Sequence, residues 1–133
     1  MKKYAAAACL LAAGLVAQSA KVGPVANTRK SLAIGKQYYL IHCVDCHDDD
    51  GRGMNRRDFN TTTPADLTDP GEFHQGISAE AIFSSIRNGT KENMPAFQGR
   101  MTDEQIWNVV NFVRSFWPED KRPKIEGETT ARP

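Results

Sequence analysis

Cysteine is scarce in this chain of 133 residues: Cys9, Cys43 and Cys46 are the only three. A small scaffold stapled by several disulfides is excluded, because three thiols supply at most one bridge. Histidine is equally rare, with His42, His47 and His74. No charge of one sign dominates. The 17 Lys and Arg against 16 Asp and Glu leave a net charge of +1, so the basic stripe of a nucleic-acid binder is missing. Long apolar runs are missing too. The longest, Tyr4 to Ala17, falls short of the roughly 20 residues that a spanning helix needs, and no stable membrane insertion is expected. No alternation of strand and helix patterns surrounds the cysteines, which argues against a thioredoxin-like fold.

What is present begins at the first residues. Lys2 and Lys3 precede the apolar run, and Ala17-Gln18-Ser19-Ala20 offers small side chains for cleavage. Residues 1–20 therefore read as a secretory signal peptide. Cys9 lies too early in the run to be a lipidated cysteine after cleavage, and is expected to leave with the peptide. Export would place the mature chain in the periplasm. Its loss of Lys2 and Lys3 would bring the basic count just below the acidic one.

The run Cys43-Val44-Asp45-Cys46-His47 carries the chemistry. Cys-x-x-Cys-His is the pattern of covalent haem attachment. Two thiols can form thioethers to the two vinyl groups of one haem. Residues three and four apart share a helix face, so Cys43, Cys46 and His47 can meet one porphyrin edge, with the His47 imidazole reaching the iron. Three other readings compete. A thiol redox pair lacks its fold, and a disulfide across so short a helical loop would be strained. The third is zinc, because His42 extends the string to four candidate ligands. Four ligands so close on one helix surround an ion poorly, and zinc sites usually draw a second pair from a distant knuckle. Export supports the haem reading, since attachment through this motif takes place outside the bacterial cytoplasm. With no other cysteine pair, one haem is expected.

Along the chain, residues 21–29 read as a linker containing Gly23, Pro24 and Asn27. A helix is expected from about Arg29 to His42, with Ile34, Tyr38 and Ile41 as its stripe and Leu32, Gly35 and Tyr39 beside it. A loop rich in Asp, Gly, Asn, Thr and Pro follows, from Asp48 to Gly71. Ser78 is the expected N-cap of a second helix that buries Ile82, Phe83 and Ile86 and stops at Asn88-Gly89. The last helix opens on the Thr102/Gln105 capping-box pattern and repeats Ile106, Val109, Val110, Val113, Phe116 and Trp117. Pro118 ends it. Residues 118–133, charged and proline-rich, are expected to be disordered. The folded part is thus residues 30–117, all helix and loop, with few residues to spare for a core. A buried haem would supply the missing apolar body.

Met54, Met94 and Met101 are candidates for a sixth iron ligand. Met54 follows His47 closely and would have to reach round to the opposite haem face, and Met101 sits at a helix entry. Met94 lies in a loop stiffened by Pro95, and imidazole plus thioether is a known haem ligation. At this point the chain resembles the bacterial class I c-type cytochromes over about residues 30–117. Gly35 and Tyr39 stand where that family places a small residue and an aromatic at a helix crossing, and Val109 and Phe112 where the last helix meets it. Asp50-Gly51-Arg52-Gly53 is similar to the family's glycine turn, and Asn93-Met94-Pro95-Ala96-Phe97 to its methionine loop. Two positions depart from the pattern. Asp48 replaces the usual glycine, and Pro64-Ala65-Asp66-Leu67 has alanine at the second proline of the run whose carbonyl holds the ligand histidine. Either Pro64 or Ala65 is left to supply that carbonyl.

The resemblance implies an all-α class I cytochrome c fold, three or more helices wrapped around one covalently bound haem. It implies haem c attached through Cys43 and Cys46, His47 and Met94 on the iron, and Leu67 covering one haem face. Arg56 and Arg57 are candidate partners for a haem propionate. His42 and His74 read as ordinary solvated or capped histidines. The function implied is single-electron transfer between redox proteins, a donor dehydrogenase or cytochrome complex and an acceptor oxidase or reductase, without catalysis. Its rivals are a haem subunit serving one particular complex, and a sensor or peroxidase with an open iron site.

Overall fold

The computed structural model describes residues 23–53 and 63–128. The segment expected to be a signal peptide, with Cys9, and Met54, Arg56 and Arg57 lie outside the described residues. Among the described residues are four α-helices, α1 (Arg29–His42), α2 (Val44–His47), α3 (Ala79–Asn88) and α4 (Asp103–Ser115), with a 3-10 turn at Pro70–Glu72. There is no strand among the described residues, only an isolated bridge between Gln98 and Met101.

α1 starts where the Thr28 side chain accepts the Ser31 N–H at 3.1 Å, the usual solution for an orphan donor at a helix start. Its buried face differs from the expected stripe. Ser31, Gly35 and Tyr39 are buried, while Ile41 is 67% exposed and Leu40 46%. The reason is how closely α4 crosses. A Cβ on Gly35 would stand 2.1 Å from the Asn108 carbonyl oxygen and 2.8 Å from Phe112 Cβ. Only a glycine backbone fits there, so the face with the smallest residues turns inward rather than the most apolar one. Asn111 locks the same crossing, donating to Ser31 Oγ at 2.9 Å and to the Val25 carbonyl at 3.0 Å. Tyr39 completes it, with its ring edge-on to Phe112 at 5.2 Å and to Phe116 at 5.5 Å. Phe112 is thus at the crossing as expected, and Val109 is fully buried in the core. The atom closest to Gly35 belongs to Asn108.

α4 begins with the expected capping box. Thr102 Oγ1 accepts from Gln105 N at 3.2 Å, and Gln105 Oε1 accepts from Thr102 N at 2.8 Å. Ile106, Trp107, Val109, Val110 and Val113 are its buried apolar side. α3 packs on α4 through Phe83, stacked on Trp107 at 4.2 Å, and through Arg87, whose Nε donates to Asp103 at 3.0 Å. Ser78 caps α3 as expected, and Gly89 ends it at φ 77.

The stretch expected to be disordered is ordered as far as residue 128. Residues 129–133 lie outside the described part. Asn27 Nδ2 donates to the carbonyls of Pro123 at 3.2 Å and Lys124 at 2.9 Å, and Glu126 N–H donates to the Asn27 carbonyl at 2.7 Å. Arg29 pairs with Glu128. Backbone hydrogen bonds to one asparagine, rather than apolar burial, hold this segment.

Candidate functional site

The cysteine motif sits where α1 gives way to α2. Cys43 occupies the junction at φ -118, ψ -30, its N–H still bonded to the Tyr39 carbonyl at 2.8 Å. One further turn, Val44–His47, carries Cys46 and His47. Both cysteines are free thiols, Cys43 buried and Cys46 exposed. Burial, and secondarily the neighbouring Cys46, pushes the Cys43 thiol up to about 12. That is the reverse of the lowered value of a reactive, disulfide-exchanging cysteine.

His47 is held through its ring. Its Nδ1 lies 3.1 Å from the Ala65 carbonyl. A carbonyl can only accept, so Nδ1 carries the proton and Nε2 keeps a free lone pair. Of the two carbonyls left open by the sequence, Ala65 is the one used. Burial lowers the pKa of the imidazole, opposed by the Ala65 bond and by Asp48. The neutral ring is therefore favoured, which is the form a metal ligand requires. The loop supplying Ala65 is fixed to the motif on both sides. Gly53 N–H donates to the His47 carbonyl at 3.0 Å, and Leu67 N–H to the Gly51 carbonyl at 2.7 Å. Gly51, at φ 80, lies flat under the Phe116 ring, where a Cβ would come within 3.0 Å. Leu67 is thereby brought to the motif and is buried.

Met94 belongs to the loop between α3 and α4, half-buried against the same core cluster. The loop is tightly built. Thr90 N–H donates to the Met94 carbonyl and Phe97 N–H to the Ile86 carbonyl, both at 3.0 Å, and Asn93 turns the chain at φ 74. A Cβ on Gly89 would meet the Met94 carbonyl at 2.7 Å, so the end of α3 presses directly on the methionine. Met101 is buried in the core as packing. His42 lies edge-on to Phe97 at 6.0 Å and parallel to Tyr38 at 6.4 Å, joining the motif helix to the methionine loop by ring contact. His74 is exposed.

Zinc is not favoured by this arrangement. Among the described residues, no three His, Cys, Asp or Glu side chains group as a metal cluster. The donor set fits haem instead: two free thiols one turn apart, a half-buried imidazole with Nε2 free, and a half-buried thioether on a hydrogen-bonded loop. Sequence reasoning missed one contributor. The Tyr39 hydroxyl donates to the Asp48 carbonyl at 2.6 Å, a bond that only the difference between tyrosine and phenylalanine at that position could have signalled.

Residues 30–113 match the family profile described as cytochrome c oxidase, cbb3-type, subunit III. Cytochrome c6 of Gracilaria tenuistipitata var. liui is 37% identical over 82 residues, covering 62% of this chain and 69% of that protein. The cytochrome c subunit of the quinone alcohol dehydrogenase of Gluconobacter oxydans is 31% identical over 87 residues, 62% of this chain but only 18% of that subunit. Among solved structures, cytochrome c6 from the diatom Phaeodactylum tricornutum superposes with a TM-score of 0.50 at 28% identity, covering 65% of this chain and 98% of that one.

Proposed function

Because the chain belongs to the class I c-type cytochromes, we propose that it is an exported monohaem electron carrier. Cys43 and Cys46 would hold haem c through two thioethers, and His47 and Met94 would supply the protein ligands to its iron. Leu67 covers one haem face. The observation that carries this reading is the His47 ring, partly buried and bonded at Nδ1 to the Ala65 carbonyl so that Nε2 is free. Haem supplies the ferrous/ferric couple. The chain's own residues keep the geometry alike in both states: the Ala65 carbonyl fixes the imidazole plane, and the tight loop around Met94 fixes the thioether. A soft thioether donor and apolar surroundings favour ferrous iron and raise the potential. With both His47 and Met94 serving as ligands, the iron would have no place for a substrate, and the protein would carry electrons without catalysing a reaction by itself. The exposed Cys46 side is the electron port, used in a small transient contact with redox partners in the periplasm.

Membership of a larger redox complex is the second reading. It is favoured by the likeness to a dehydrogenase cytochrome subunit, of which this chain spans a small part. Stable co-purification with a second redox subunit from the native envelope would select it.

Acid-acetone extraction of the denatured protein tests the attachment. Haem is expected to stay with the polypeptide, and Cys46→Ala to leave at most one thioether and a sharply reduced yield of mature protein. Colour passing into the organic phase would refute the assignment of Cys43 and Cys46.

A further inference from the structure

We infer that the Tyr39 hydroxyl is a positioning group for His47, acting through the backbone of Asp48. This rests on the haem reading above. Asp48 follows the ligand directly and stands at φ 57, ψ 173, a region of backbone space that is costly for any residue except glycine. The conformation ends α2 and sends the chain into the Gly51-Arg52-Gly53 turn, so it also sets the orientation of the peptide joining His47 to Asp48. Something must hold it. The Asp48 N–H is bonded to the Val44 carbonyl at 2.9 Å, and the Asp48 carbonyl accepts a long bond from Gly51 N–H at 3.4 Å. Its short bond, 2.6 Å, comes from the Tyr39 hydroxyl, which also lies 3.4 Å from the His47 carbonyl.

The tyrosine cannot follow if that peptide moves. Its ring is fully buried and wedged against Phe112 and Phe116. Burial also raises its pKa well above the ordinary 10.0, so the hydroxyl stays a donor. The backbone at His47 and Asp48 is thereby held by Tyr39 together with the Gly53 N–H on the His47 carbonyl, and the His47 ring by Ala65. Loss of the hydroxyl lets the strained peptide relax, and the imidazole must then tilt against the Ala65 bond. A glycine at position 48 would make the strain, and with it the need for the hydroxyl, disappear.

The test compares Tyr39→Phe, Asp48→Gly and the double substitution as holoproteins carrying haem. Phenylalanine keeps the ring contacts, so folding is preserved. Tyr39→Phe should shift the midpoint potential and the hyperfine-shifted NMR signals of the His47 ring in the ferric protein. It should also raise the unfolding constant about fivefold, the worth of one ordinary hydrogen bond. In the Asp48→Gly background, each of these effects should fall to less than half. Equal effects in both backgrounds would overturn the inference, as would lost stability with unmoved His47 signals. A wild type without attached haem would overturn the haem reading and this inference with it. A haem-bearing wild type whose two substitutions act additively would overturn this inference alone.

Discussion

Gly35→Ala adds a single methyl group, and in an isolated helix it would help. Alanine is better than glycine in a helix interior by about 0.8–1.0 kcal/mol. Here the methyl carbon would lie 2.1 Å from the Asn108 carbonyl oxygen, 2.7 Å from its carbon and 2.8 Å from Phe112 Cβ. Even a weak C–H···O contact needs about 3.3–3.6 Å, so α1 and α4 must part by roughly 1 Å. None of the three atoms is the end of a flexible side chain that could swing away. Overpacking of a tight interior costs about 1–3 kcal/mol, occasionally more, and rigid backbone atoms put this site at the upper end. Subtracting the propensity gain leaves a net loss of about 2 kcal/mol. For a domain of this size, that corresponds to a fall in Tm of about 8–16 °C. Thermal unfolding of the holoprotein followed by far-UV circular dichroism measures it. An alanine variant that melts at or above the wild-type temperature would show that the helices do not cross at Gly35 as described.

Met94→Ala should open a coordination position, give a high-spin ferric spectrum and admit carbon monoxide. Met94→His should stay six-coordinate with a lower potential. Wild-type protein should show the weak near-infrared band of sulfur-to-iron charge transfer, absent from both variants, and a wild type lacking it would reopen the sensor or peroxidase reading. Thr102→Ala removes half of the α4 capping box and should cost about 1 kcal/mol, read as a lower denaturant midpoint with an unchanged slope. Deleting residues 123–133 removes the three hydrogen bonds to Asn27. Their partial exposure keeps the loss to about 1–2 kcal/mol, and an unchanged Tm would mean that the segment contributes nothing to folding.

The helices most legible in the sequence were those with local signals. Thr102 and Gln105 announced α4, and Ser78 and Gly89 bracketed α3, because caps are short-range hydrogen-bond chemistry written in side chains. α1 was legible in extent but not in orientation. Counting apolar residues favours Ile34, Tyr38 and Ile41, whereas the crossing selects for smallness at Ser31 and Gly35, which no hydrophobicity pattern records. The ordered segment to residue 128 escaped for a related reason. Proline and charge describe a stretch that cannot build a core, but main-chain bonds to Asn27 hold it without one. At the proposed site, Cys43, Cys46 and His47 could be named as candidates from the motif alone. The choice of Ala65 over Pro64 could not be made, since every residue has a carbonyl and only the path of the loop decides which one faces His47.

The meeting of α1 with α4 also dictates an order of events. Ser31 and Asn111, bonded across the crossing, are separated by 80 positions in the chain. Contacts so distant in sequence form late, because a long loop must close before any of them is rewarded. A chain made from its N-terminus has no partner for the Ser31-Gly35-Tyr39 face until its last helix exists. Tyr39 has no phenylalanines to wedge against, and its hydroxyl has no fixed place from which to grip Asp48. During that interval the turn bearing Cys43, Cys46 and His47 lacks the crossing that buries Cys43, and both thiols are open to reaction. On the proposed reading, attachment at Cys43 and Cys46 would be easiest before that crossing forms.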